Sequence, residues 1–416
     1  MKKAKKALSI ILSVCLVFSS VMIFAQASTK NEKLTEYKGY VYPVQPGTEI
    51  WAEFTDLEQK IEICQITEEI LQNMSTEDLV QTVLNYPLMV NMFAFNTYEE
   101  GFESVLSYFN GMQELVKRQD ATVKLMNAYK KSEVVTKNKL GRLAEEELEQ
   151  NAAITSDEKA CIDQMFKMMV IESLLSTEVL LEKLNENELE LLDAEAFEKF
   201  EAKLAEPEIY NRTASVFYDS IDEQLQTDVY ETRASSPSAP YQYKFIGTRH
   251  FAGYYIYIKT PRSSDVLAFD VKEDYTVAEK NNINQNYGWA YPNATYIASA
   301  TATYNCHSYA WYKSVNCQYW IDSPIQYIND GSYYQDSFGN IIIYYNISTD
   351  TITHSGRVKD VFYGPTTNPA YNGADLITVT SKWGAAGLYT HSGIDCPYWV
   401  PQGGLSDNRV FYFKKS

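Results

Sequence analysis

Only four histidines occur in 416 residues, and none precedes His250. Histidine is the side chain that most readily moves protons near neutral pH. Imidazole chemistry is therefore excluded from more than the first half of the chain. Six cysteines are present, but no two are spaced C-x-x-C, so the compact ligand pattern of a structural zinc site is missing. Neither a metal nor a cofactor is expected. After the apolar run from Ala7 to Ala25, no second stretch is long enough to cross a bilayer. Basic residues number 36 against 54 acidic ones. Nucleic acid is disfavoured as a partner, because binding phosphates needs a positive surface.

The chain opens with four lysines among its first six residues, then the apolar run, then Ala25-Gln26-Ala27. This is the layout of a secretory signal peptide over residues 1–27, with small residues where a signal peptidase reads. The expectation is a secreted, extracellular protein, cell-surface associated or free, with no stable membrane insertion after signal removal. Five cysteines remain after cleavage: Cys64, Cys161, Cys306, Cys317 and Cys396. An odd number leaves at least one thiol unpaired within the chain in an oxidising compartment. Cys317 and Cys396 are expected to be buried or linked to each other, and Cys64 can pair with Cys161; sequence decides neither.

Charge and aromatic content divide the mature chain. Removing the signal lysines takes the net charge from −18 to −22, and from Ser236 onward acidic and basic residues balance. The whole acidic excess lies in residues 28–234, which carry helical periodicity and are expected to form an all-helical domain of five to seven helices. Phe102, Val105, Leu106, Phe109, Met112 and Val116 fall on one face of the stretch Tyr98 to Gln119. Ser75, with Asp78 three residues on, is a helix-start signal, and Pro87 ends or kinks that helix. Ile162 to Leu184 and Leu189 to Leu204 are further amphipathic stretches. Nothing in this half looks catalytic. A Pro/Ser linker at 235–240 leads to residues 241–416, which hold all four histidines and 23 of the 33 tyrosines. Tyr243 to Lys259 and Val266 to Val271 read as strands, and Gly339 to Tyr345 as a buried strand bounded by turns.

The sharpest constellation is Tyr304-Asn305-Cys306-His307-Ser308, which reads as a helix start with Cys306 in the first turn. Backbone N–H groups and the helix dipole favour a thiolate there, and a thiolate is the nucleophile of acyl transfer. Its base is sought among the histidines. His307 is the next residue on the helix and is expected to point away. His354 follows the GNIIIYY run and a turn, at the start of a strand paired with it. His391 lies in a glycine-rich stretch, Trp383 to Cys396, read as a loop with less rigid positioning.

These residues resemble the NlpC and CHAP group of papain-like cell-wall cysteine peptidases and amidases. In that group a cysteine opens a helix after Asp or Asn, a Gly-Asp pair leads a strand, and a histidine opens the next strand. A polar residue on the strand after that orients the imidazole. Asn305-Cys306, Gly339-Asn340 (Asn in place of Asp) and His354 follow that order between Tyr287 and Trp399. Ser381 or Lys382 stands where the family has His, Asn, Gln or Glu, and of the two only Ser381 can accept from an imidazole. The expected fold class is α+β: the all-helical domain read from periodicity, then, as the resemblance implies, a papain-like domain with a helix packed on an antiparallel β-sheet. The resemblance implies Cys306 as nucleophile, His354 as base and Ser381 as third member. Asn305 or Tyr304 would help form an oxyanion site beside the Cys306 N–H, and Lys382, Trp383 and His391 would shape the substrate groove. The implied substrate is a cell-wall peptide or another extracellular protein.

Two other readings stand beside this one. A transglutaminase-like order would use Asp375 as third member. A non-catalytic adhesin would bind glycan or protein through the tyrosine-rich part, with the helical part as a stalk.

Overall fold

A computed structural model describes residues 39–129, 156–175, 177–181, 242–247, 249–337, 339–347, 349–401 and 409–416. The signal peptide at 1–27, the stretch Leu189 to Leu204 and the linker at 235–240 lie outside the described residues. The chain is α+β, with helices first and antiparallel sheet after them. Among the described residues no helix is long and apolar enough to cross a membrane.

The helical part is built from more and shorter segments than expected. Among the described residues, eight α-helical segments precede residue 182, several of only five to seven residues, and residues 121–129 are helical too. Ser75 caps Thr76–Leu84 as expected: its hydroxyl accepts from Asp78 N, and the helix stops two residues before Tyr86 and Pro87. The single periodicity from Tyr98 to Gln119 is broken into Tyr98–Tyr108 and Asn110–Leu115. Phe109 turns extended between them, which lays its ring flat on Tyr86 at 3.7 Å. Gly111 makes the break feasible, because any Cβ there would overlap the Phe109 ring. Asn110 then bonds both Ile66 N and Ile66 O, satisfying backbone that the neighbouring helix leaves open. Ile162 to Leu184 is likewise interrupted, after Ser156–Leu175, by Thr177.

Ten strands follow. β1 (Gln242–Ile246), β2 (Arg249–Lys259) and β3 (Asp265–Val271) form a three-stranded meander. The larger sheet contains β4 (Thr295–Ala298), β5 (Tyr333–Gln335), β6 (Ile341–Asn346), β7 (Thr351–Val361), β8 (Ile377–Lys382), β9 (Leu388–Ser392) and β10 (Val410–Lys415). Its order is β4-β9-β8-β7-β6-β10-β5, with every neighbouring pair antiparallel. From Ile341 to Tyr344 β6 is apolar and buried, because both its faces are covered there. Ile341 and Ile343 join one core cluster with Trp311 and Phe413, while Ile342 and Tyr344 join the other. That second cluster is continuous from Trp51, Leu79 and Phe109 of the helical part to Val379, Trp383 and Trp399 of the sheet. Helical and strand-rich parts thus share one core. Trp51 Nε1 donates to Ala290 O, and Tyr287 and Tyr291 donate to Val90 O and Asn91 Oδ1.

Candidate active site

Cys306 is the first residue of a short helical segment whose residues Ser308–Tyr312 are wound as a π-helix. Three side chains fix this segment. Asn305 caps its start: Oδ1 accepts from Ser308 N (3.1 Å) and from Ile321 N (3.2 Å), and Nδ2 donates to Ile321 O. Trp311 Nε1 donates to Ser355 Oγ on β7 at 2.8 Å. Arg357, two residues further along β7, donates to Tyr309 O and Ala310 O and satisfies carbonyls at the helix end. The sequence HSGRV therefore supplies a strand that clamps the cysteine helix as well as a histidine.

β6 and β7 pair with Tyr344 opposite His354, but the next pair is Tyr345 with Ile352, so Thr353 is an extra residue in β7. A bulge of this kind bends a strand and re-aims the adjacent side chain. His354 and Ser355 are both fully buried beside it.

The Cys306 sulfur accepts from the backbone N–H groups of Ser355 and His307. It is 1% exposed. Burial pushes the thiol up to about 12, against the pull of those two N–H groups and of Lys382. The His354 ring lies flat against Tyr398, with centroids 3.5 Å apart. Burial, then His391 and His307, holds its pKa well below the ordinary value. Among the described residues neither ring nitrogen of His354 has a hydrogen-bond partner, Cys306 included. Tyr398, on which the His354 ring lies, is raised by burial and next by the charge of Cys306. In this closed arrangement the pair rests as thiol and neutral imidazole.

His307, expected to point away, turns its ring into a buried network whose proton positions follow from bonding rules. Asn305 Oδ1 is fixed by two backbone donors, so Asn305 Nδ2 must face Asn96, and Asn96 must present Oδ1 to it, at 2.9 Å. Asn96 Nδ2 then donates to His307 Nε2 at 3.1 Å. Nδ1 carries the His307 proton and donates to Ser355 Oγ at 2.9 Å. Burial moves this ring down to about 3.

The remaining expected residues are placed differently. Ser381 lies on β8 but bonds His391 Nε2 at 2.8 Å, not His354. His391 is on strand β9, opposite Val379 of β8, not in a loop. Its Nδ1 donates to Ser392 O, so Nε2 is the acceptor of the Ser381 hydroxyl, and burial holds the ring down to about 4. Glycine content misled the loop reading: Gly384 and Gly387 belong to the β8–β9 turn and Gly393 follows β9. Trp383 is core: fully buried, with ring centroids 4.3 Å from Tyr389 and 4.9 Å from Tyr291. Lys382 is buried and donates to Thr301 O and Gly384 O, tying two loops together. Burial brings its ammonium down to about 7. Asp375 accepts from Thr366 and Thr367 and braces its own loop. Cys64, Cys306, Cys317 and Cys396 are all free thiols, so Cys317 and Cys396 are not linked. Among the described residues no cluster of His, Cys, Asp and Glu is placed to hold a metal.

Residues that carried no motif complete the site. Asn96 and Glu100 belong to the helical part and arrive across the shared core. Glu100 accepts from Asn96 N at 3.3 Å, and burial with the charge of Asp322 raises it to about 7 against the pull of Asn96 and Thr97 N–H groups and Lys244. A carboxyl raised in the fold contributes stability below its unfolded pKa and loses it as pH rises through the folded value. Wild type should therefore lose stability between pH 5 and pH 8 through this group. In Glu100→Gln that loss should be smaller by about 2 kcal/mol, read from urea midpoints at the two pH values. Equal losses in both proteins would contradict the assignment.

The fold and site define an α+β protein in which a cysteine opens a helix clamped to a sheet strand that carries a buried, unpartnered histidine. Compared with family models, with curated proteins and with solved structures, the chain matches none.

Proposed function

We propose that this chain is a papain-like cysteine hydrolase of the NlpC and CHAP kind, acting on an amide bond of a peptidoglycan peptide or another extracellular peptide. The observation that carries the reading is His354. A buried polar atom without a partner costs about 1–3 kcal/mol, and His354 has two. A strand bulge aims the ring, and the thiol's neighbour Tyr398 packs on it. An imidazole with both nitrogens left open suits a proton carrier for the Cys306 thiol. The order of β6, β7 and β8 behind the cysteine helix supports the same class.

With the site open to substrate, His354 takes the proton from the Cys306 thiol. The sulfur then forms a bond to the amide carbonyl carbon. Collapse of the tetrahedral adduct breaks the C–N bond as His354 returns the proton to the leaving amine. Water, deprotonated by His354, attacks the thioester and releases the acid, and the sulfur regains its proton. The N–H groups at the start of the Cys306 helix favour both the thiolate and the oxyanion. Cys306→Ala should abolish labelling by a thiol-directed amide probe and release of products from purified cell wall, measured by mass spectrometry. Unchanged labelling and turnover in the variant would remove the proposal.

A further inference from the structure

A piece of the helical part packs on residues that surround Cys306 and His354. Between the 3-10 turn Met89–Phe93, which Ala94 caps, and the helix Tyr98–Tyr108, residues Ala94 to Asn96 form a buried bend. Their contacts are those of a bound peptide. The Tyr398 hydroxyl donates to the backbone carbonyl of Ala94. Phe95 packs edge-on against the Tyr398 ring at 5.2 Å. Asn96 accepts from Asn305 Nδ2 and donates to the free lone pair of His307. Gly384 allows the approach, because a Cβ there would overlap Ala94 O and lie 3.2 Å from Phe93 O.

We infer that Ala94–Asn96 is an internal occupant of the peptide-binding cleft, so that the chain as folded is latent and a peptide substrate must displace this strap. The inference rests on the hydrolase reading for its functional meaning, and on the geometry for the occlusion itself. It assigns new roles to three groups. Tyr398 holds a substrate backbone carbonyl, and Asn305 and His307 present one donor and one acceptor to a side-chain or backbone amide. The thiol and imidazole, neutral while dry, gain water or substrate dipoles only when the strap leaves, which is when an ion pair becomes affordable. The helical part then acts as a cover over the site, and the substrate class is one that can reproduce an amide's donor and acceptor pattern.

The test is the alkylation rate of Cys306 by iodoacetamide in the full chain, resolved from the other thiols by peptide mass spectrometry. In wild type, Cys306 should react at least a hundredfold more slowly than the partly exposed Cys317. Asn96→Ala removes the two side-chain bonds of the strap, and Gly384→Ala pushes on it from the other side. Each should speed Cys306 alkylation tenfold or more while Cys64 and Cys396 stay protected. Wild type alone supplies a second measurement: deuterium exchange of amides 94–97 should show the same protection as the Cys306 thiol, and less than that of Cys396. The inference is overturned if wild-type Cys306 reacts as fast as Cys317, or if its protection equals that of Cys396. Variants that leave its rate unchanged, or that release Cys64 and Cys396 with it, overturn it too. A strap-released variant with a reactive Cys306 that cleaves no amide would sink the hydrolase reading and leave the occlusion standing.

Discussion

Replacing Lys60 by alanine should destabilise the protein by about 3–5 kcal/mol, measured as the urea unfolding free energy at pH 7. Lys60 sits on the helix Leu57–Ile63 and is fully buried, with Nζ 2.5 Å from Asp395 Oδ1 and 4.6 Å from the Tyr291 ring centroid. Burial lowers the Lys60 ammonium and raises the Asp395 carboxyl, so each ion is held charged mainly by the other. Removing the cation leaves Asp395 in a dry setting beside Asp56, which burial has already raised to about 6. The double variant Lys60→Met with Asp395→Leu should recover most of the loss, because two charges and their desolvation vanish together. A Lys60→Ala loss below about 1 kcal/mol, the value of an exposed pair, would show that the two parts are not locked here.

His354→Phe should make the protein more stable and inactive. The substitution keeps an aromatic ring against Tyr398 and removes two buried nitrogens without partners, for a gain of about 1–3 kcal/mol. The same change removes the proposed base and should lower turnover by a factor of about 10³ or more. The pH dependence supplies an internal check. His354 has a depressed pKa in the fold, so below the unfolded value of about 6.5 the unfolded chain binds a proton that the native ring refuses. Its contribution is present above that pH and is lost as pH falls. The advantage of His354→Phe should therefore grow by about 1.4 kcal/mol for each pH unit below 6.5 until the native ring protonates. A variant that is less stable than wild type at every pH would mark His354 as a packing residue and remove the main support for the hydrolase reading.

The two outcomes concern different layers of one design. Lys60 and Asp395 fasten the helical part to the end of the sheet, and Trp51, Tyr287 and Tyr291 extend that contact. Ala94–Asn96 lies in the same interface, with Ala94 and Phe95 in the shared core and polar contacts to Asn305, His307 and Tyr398.

Local chemistry was legible from the residues themselves. Ser75 as a cap, β6 as a buried strand, Cys306 at a helix start and His354 paired behind β6 all follow from patterns a few residues long, because caps, turns and strand alternation are decided by neighbours in the chain. Tertiary structure decided the rest. Phe109 broke a continuous periodicity because its ring was worth more stacked on Tyr86, and Ser381 turned to His391 because strand register puts their side chains together. Asn96 reached Cys306's neighbours across 209 and 211 residues, through a core that two stretches of sequence build jointly and neither encodes alone.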